Sequence, residues 1–352
     1  MRAFSRLTGI DAPDADNAAE YFLNDALPAL KRIYPEHSGE KAAACTKHIG
    51  PGILKPENIN ICLERPGKSF LDKLLALAKE NAAIVREVSA EGFCISLVGA
   101  TTFTCTQDIV CDNGSGELAV MTGLVDAYFS GADLPSRAWN TSAEYHTVFH
   151  DDNNCDENKL LLDACKAYKM RDKNRLMPSD TLTEAQFSAF TGLQKTLNEK
   201  AYKAVYLLGG SSNLKLTQDD ALCRSVRAMT EAGALCLAFG DAAVILGKHG
   251  FLDGRDGVIG LWGGGVLPDL LMLLPCAGIP CCSYFPELRN KADILGLLAC
   301  AAKGIPAYTS TRLPFDGAGR LSKKLSEKIL YGKPGDVIDN ITRLVQGGRN
   351  GD

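Results

Sequence analysis

From residue 57 onward the chain alternates short apolar runs with amphipathic stretches, and this alternation restricts it to one class of architecture. The runs are ENINICLE (57–64), GFCISLVG (92–99), LAVMTGLVDAYF (118–129), AVYLLGG (204–210), GALCLAFG (233–240), VIGLWGGG (258–265), IPCCSYF (279–285) and GIPAYTS (304–310). Between them lie SFLDKLLALAKENAAIVREVSAE, TQDDALCRSVRAMTEA and KADILGLLACAAK, with apolar residues at helical spacing. Such alternation builds right-handed β-α-β units whose parallel sheets are covered on both faces. The expected fold is therefore α/β, with two doubly wound, Rossmann-like domains. Residues 1–55 read as an N-terminal helical segment in which Pro28 implies a kink or break. The first α/β domain is expected over 56–180 and the second over 181–352, opening on the polar helical linker MPSDTLTEAQFSAFTGLQKTLNEKA.

At 352 residues, 46% hydrophobic and 23% charged, the chain can bury the cores that two domains require. A net charge of -4 supplies no basic field for a phosphate backbone, so a nucleic-acid partner is not expected. The first residues lack the apolar core of a signal peptide, and the most apolar region, 257–285, is broken by Gly263-Gly264-Gly265, Pro268 and Asp269. A cytoplasmic protein without a membrane span is the expectation. The thirteen cysteines then read as reduced thiols, and Cys62, Cys94, Cys223, Cys236, Cys276 and Cys300 fall inside apolar patterns as small core residues.

In doubly wound sheets the ligand crevice lies beyond the carboxyl ends of the strands, so chemistry is sought just after each apolar run. Those ends carry Glu64-Arg65-Pro66, Gly99-Ala100-Thr101-Thr102, Ser211-Ser212-Asn213, Gly240-Asp241, Gly263-Gly264-Gly265 and Phe285-Pro286-Glu287.

These ends, with GILKPENINI, ELAVMTGLVDA, EYHT (Glu144–Thr147), LLGGSSNLK, LCLAFGDAAVILGKHGFL and GIPCCSYFPELRNKADILGLLACAAKGIPAY, carry a resemblance in their order and spacing. From about residue 50 to 325 the chain resembles the two α/β domains of nickel-iron carbon monoxide dehydrogenases and, more distantly, of hybrid-cluster (prismane) proteins, families of anaerobic metabolism. The resemblance implies a nickel-iron-sulfur cluster between the domains, held by one histidine and several cysteines at these strand ends. Soft thiolates suit such metals far better than oxygen does. Here the histidine turn reads Glu64-Arg65-Pro66, and the cysteine positions are taken by Thr101 or Thr102, Ser211, Asp241, and Gly264 or Gly265; GADLP stands where a further cysteine is expected. The large N-terminal helical domain of the long dehydrogenases has no counterpart in the roughly 50 residues ahead of the first strand. The resemblance thus implies a degenerate metal site, with no carbon monoxide oxidation by the family mechanism. Lys291 does persist, on the lysine to which the relatives' resemblance assigns proton transfer, with Arg289 where hybrid-cluster proteins place a glutamate ligand.

Other motifs are weaker. Cys276, Cys281 and Cys282 form C-x4-C-C, but neighbours on a strand point to opposite faces, and core packing explains them. Cys105 with Cys111, and Cys45 with His48, each offer two ligands where a structural zinc needs four. RPGKS (65–69) imitates the end of a phosphate loop without its first glycine, which Cys62 replaces. Asp241 reads as a helix N-cap, and His146 and His150 as solvated. Lys291 has a second reading too, as a surface or capping lysine.

Two functional expectations follow. One is a small polar ligand, or non-redox chemistry, in a cleft lined by Glu64, Arg65, Thr101, Thr102, Ser211, Ser212, Asn213, Asp241, Gly264, Gly265, Arg289 and Lys291. In that reading Lys291 is the acid, base or anion holder, and Asp241 stands beside it. The other is a non-catalytic docking subunit of a metalloenzyme or electron-transfer complex, itself open to homo-oligomerisation. No metal or cofactor is expected, although an iron-sulfur site from Cys62, Cys105 and Cys282 is a further alternative.

Overall fold

Parallel strands buried on both faces need aliphatic side chains throughout, because neither face meets water. The computed structural model describes residues 18–33, 44–101, 103, 105–131, 136, 138–152, 155–199, 202–211, 219–274, 278–313, 325 and 327–347. Its strands follow that rule: Ile59–Glu64, Val125–Ser130, Ala204–Leu208 and Ala234–Phe239 are buried at every position. Each Leu, Val, Ile or Phe so placed contributes about 1.5–3 kcal/mol.

In chain order the elements are α1 (Ala18–Ile33), β1 (Cys45–Ile49), β2 (Ile59–Glu64), α2 (Lys68–Glu80), α3 (Ala82–Glu87), β3 (Phe93–Val98), β4 (Ile109–Cys111), α4 (Gly116–Met121), β5 (Val125–Ser130), α5 (Ala138–Ser142), β6 (Val148–Asp151) and α6 (Glu157–Lys169). There follow β7 (Thr183–Ser188), α7 (Phe190–Glu199), β8 (Ala204–Leu208), α8 (Asp220–Glu231), β9 (Ala234–Phe239), α9 (Asp241–Lys248), β10 (Val258–Leu261), α10 (Leu267–Leu273), β11 (Cys281–Phe285), α11 (Lys291–Ala302), β12 (Ala307–Thr309), β13 (Ile329–Tyr331) and α12 (Pro334–Gly347). They form two compact units, Thr46–Ala185 and Met1–Cys45 with Gln186–Asp352.

In the first unit the strand order is β1-β4-β3-β2-β5-β6, every pairing parallel. The chain winds from β2 to β3 and β4 on one side, then returns to place β5 and β6 on the other. The order reverses between β2 and β5. The second unit repeats this scheme as β13-β12-β11-β8-β9-β10-β7, again all parallel, and reverses between β8 and β11. In both units the strand that precedes the winding, β1 or β7, joins the far edge beside the third wound strand. The expected doubly wound α/β architecture is what the chain adopts.

Three local expectations change. The run 118–129 is not one strand: residues 116–121 form α4, the chain turns at Gly123 with φ +69°, and only then does β5 begin. Within the expected helical linker, β7 forms instead, because Ala185 and Phe187 alternate inward and Phe187 and Ser188 pair with β10. Pro28 does not end its helix; it sits exposed on α1, which continues to Ile33. The buried alanine-rich face of α1 (Ala18, Ala19, Phe22, Ala26, Ala29, Leu30) packs on α11, which is buried from Ile294 to Ala301. No helix among the described residues is long and apolar enough to cross a membrane.

Candidate functional site

The second unit ends its central strands in register: Leu208 pairs with Ala238 and with Tyr284, and Phe239 with Leu261. The residues after them therefore lie along one carboxyl edge, ordered as the strands are. After β8 the turn presses flat against the turn after β11. A Cβ on Gly210 would overlap the Glu287 carbonyl oxygen, φ there is +76°, and Ser211 N donates to that same oxygen at 3.2 Å. This is the point where the strand order reverses, the place such sheets reserve for ligands. Ser211 is 1% exposed, and its hydroxyl has no hydrogen-bond partner among the described residues. A buried hydroxyl left so costs about 1–3 kcal/mol.

Beside it, Gly240 turns with φ +58° and α9 begins at Asp241, which is buried. Asp241 is not the N-cap; Gly240 holds that position, and the aspartate sits inside the first turn, where the helix dipole favours a carboxylate. After β10 come buried Trp262, Gly263 with φ +78°, and a 3-10 turn over Gly264–Val266 that carries Gly264 and Gly265. After β11, Glu287 accepts from Thr311 Oγ1 at 2.9 Å, and Arg289 N donates to Asp293 Oδ2 at 3.1 Å. Asn290 caps α11 by accepting from Asp293 N at 2.8 Å. Lys291, half-buried, is the first residue of that helix and forms no ion pair among the described residues. A capping role does not account for it, since Asn290 does the capping and a cation at a helix N-terminus opposes the dipole. Ser211, Asp241, Gly264, Gly265, Arg289 and Lys291 thus share one edge of one sheet. Thr102, Ser212 and Asn213 lie outside the described residues.

Glu64, Arg65 and Thr101 belong to the carboxyl edge of the first unit. Glu64 closes β2, is buried, and accepts from Tyr128 Oη at 3.0 Å. Burial, with Glu64 adjacent, pushes the Tyr128 phenol well above its usual value, which keeps it protonated as the donor. Arg65 turns the chain with φ +49°. Thr101 spends its hydroxyl on the Phe103 carbonyl and touches Cys105 Sγ at 3.8 Å. Two residues absent from the sequence-based set stand here as well: Tyr128, and Ser130 at the end of β5. Ser130 carries a signal, since it directly follows the expected run 118–129; Tyr128, inside that run, carries none.

His146 and His150 are not solvated. His146 Nε2 pairs with wholly buried Asp126 at 3.1 Å, and His150 approaches Asp163 at 3.6 Å.

The described cysteines of the second unit lie away from the edge that the cluster would need there. Cys236 is inside β9, Cys281 and Cys282 are at the amino end of β11, and Cys300 is near the end of α11. In the first unit Cys62 is in mid-β2, packed with Val98 and Tyr128. Burial pushes the Cys62 and Cys300 thiols up to about 12 and Cys281 to about 11, far from thiolate at neutral pH. Among the described residues no group of three or more His, Cys, Asp or Glu could hold a metal ion. At the described strand ends of the second unit the donors are oxygens, which do not fit a nickel-iron-sulfur cluster, while in the first unit Cys111 closes β4 and Cys105 lies against Thr101. Cys276 lies outside the described residues.

No family model matches the sequence, and no curated protein sequence matches it. Solved structures do. An acetyl-CoA synthase/carbon monoxide dehydrogenase structure with NiZn[Fe4S4] and NiNi[Fe4S4] clusters aligns at TM-score 0.81 and 17% identity, over 96% of this chain and 64% of that one. The chain has the carbon monoxide dehydrogenase fold. Carbon monoxide dehydrogenase IV from Carboxydothermus hydrogenoformans aligns at TM-score 0.74 and 13% identity, over 96% of this chain and 66% of its own. The Ni-free carbon monoxide dehydrogenase from Thermococcus sp. AM4, produced without CooC maturase, gives 0.79 and 13%, over 95% and 65%. The chain thus spans just under two thirds of the length of each of these three chains. At these identities the likeness carries the fold.

Proposed function

We propose that this carbon monoxide dehydrogenase-like chain does not oxidise carbon monoxide and instead holds a small polar ligand at the carboxyl edge of its second unit, beside the paired turns after β8 and β11. The observation that carries this reading is the buried hydroxyl of Ser211, without a partner among the described residues, at the reversal of strand order. Such an orphan is a costly group that a ligand atom would satisfy. Ser211 also stands where the resemblance calls for a thiolate, so an oxygen donor at that place changes what the site can hold. Arg289 and Lys291 add positive charge along the same edge, and Asp241 adds a carboxylate.

The first test is the metal and sulfide content of protein purified without oxygen. No nickel and no stoichiometric iron-sulfur cluster are expected; about four iron atoms per chain, with visible absorption lost in air, would overturn the reading. The second is thermal stabilisation by malonate, phosphate or glycerol, which Ser211→Ala should weaken. A second reading, a docking subunit of a metalloenzyme or electron-transfer complex, is favoured by the exposed Met121 and Met177, whose chain segments are joined by the bond from Met177 N to Thr122 O at 2.7 Å.

A further inference from the structure

The reversal of strand order in the first unit carries its own unsatisfied polar groups, independent of Ser211. Glu64 and Ser130 are register partners across β2 and β5, as are Cys62 and Tyr128 two residues earlier. Partners in a parallel pair project to the same face, so Glu64, Tyr128 and Ser130 stand together there. Gly116 opens α4 against this group: a Cβ there would overlap the Tyr128 hydroxyl and meet Val98 Cγ1 at 3.4 Å. Tyr128 gives its one proton to Glu64 Oε2. Ser130 is 4% exposed, and its hydroxyl has no partner among the described residues. Oε1 of Glu117, the residue after Gly116, is also buried without one. No Lys, Arg or His among the described residues forms an ion pair with Glu64 or Glu117. A buried carboxylate and a free hydroxyl therefore meet on one face of the strand ends, and no cation among the described residues pairs with that carboxylate.

We infer that this edge of the first unit is a second binding site, selective for a small organic cation bearing N–H donors, of the ammonium or guanidinium class. Charge decides between ligand types. A buried carboxylate needs a counter-charge as well as hydrogen bonds. An N–H cation supplies both, a neutral polyol supplies only the bonds, and an anion meets repulsion. A divalent metal would want several more oxygen ligands than Glu64 and Ser130 provide. The N–H groups would donate to Glu64 and Ser130 Oγ, while Tyr128 fixes the Glu64 rotamer.

The experiment is thermal shift and calorimetric titration of the full chain with methylammonium and methylguanidinium, against sodium at equal ionic strength, glycerol and phosphate. Saturable stabilisation by one of the nitrogen cations is expected. Glu64→Gln, which keeps the acceptor for Tyr128, should weaken it about tenfold or more, and Ser130→Ala about fivefold. Ser211→Ala should leave it unchanged, which separates this site from the one in the second unit. Stabilisation equal to that by sodium, or equal affinity in Glu64→Gln, overturns the inference. Should Glu64→Gln fail to fold, Ser130→Val carries the test, and unaltered methylammonium affinity in that variant overturns it too.

Discussion

Arg171 Nε donates to Asp126 Oδ1 at 2.7 Å, beneath strands where the aspartate has no exposure at all. The same guanidinium reaches the Pro56, Asn58 and Leu124 carbonyls at 2.6, 2.7 and 2.9 Å, while Asp126 Oδ2 accepts from Asn60 N at 2.7 Å. His146 completes the carboxylate's shell. One arginine thus ties the starts of β2 and β5 together. Removing it leaves a buried charge, so Arg171→Met should lower stability by about 3–5 kcal/mol. Urea unfolding checks this through a lowered midpoint at unchanged slope. A loss below about 1 kcal/mol would place the pair among weak surface ion pairs.

Asp219 sets an acid limit on the second unit. Burial alone would push its carboxyl up, but a hydrogen bond from His249 at 2.8 Å and the charge of Lys248 hold it below the usual value. A depressed carboxyl contributes stability above its unfolded pKa of about 3.9 and loses it as pH falls through the folded value. The melting temperature should therefore fall as pH drops below about 4, and Asp219→Asn should flatten that limb. Asparagine is the apt replacement because residue 219 sits at φ +63°, which Asn tolerates. Equal steepness in both proteins would contradict the assignment.

Lys291→Met removes a cation from a helix N-terminus already capped by Asn290. Melting should stay level or rise slightly, by about 0.3–1 kcal/mol in stability, while malonate or phosphate binding is lost. Unchanged anion binding would deprive Lys291 of a functional role.

Gly210→Ala should cost more than Gly67→Ala. The first meets the Glu287 carbonyl and a φ of +76°, whereas the second, at φ -67°, has nothing within 4 Å of its new carbon. The expected difference is about 1–3 kcal/mol, read from paired melts; two equal losses would show that the β8 and β11 turns are not clamped as described.

Much of this architecture was legible because buried parallel strands write themselves as unbroken aliphatic runs; β2, β3, β8, β9 and β11 fall inside the expected segments, and α11 begins at its expected first residue. What failed did so locally. ELAVM is as apolar as a strand, and only Gly123 behind it separates α4 from β5. TEAQFS presents two inward residues, too few to distinguish β7 from a polar helix. His146 looked solvated because its partner Asp126 is distant in sequence, and a histidine among polar neighbours gives no sign of it. The parallel-sheet rule names strand-end candidates and reaches Ser130 too, which directly follows the run 118–129, whereas Tyr128 lies inside that run and gives no such signal.

The packing of α1 on α11 also has a timetable. The ribosome makes Ala18–Ile33 long before Lys291–Ala302, a delay on the order of 10–50 s at about 5–20 residues per second. Until then the apolar face of the first helix has no partner. A nascent chain would carry it as an exposed, amphipathic flag while Thr46–Ala185 completes its own core, which makes that helix the natural stretch for a chaperone to hold during synthesis.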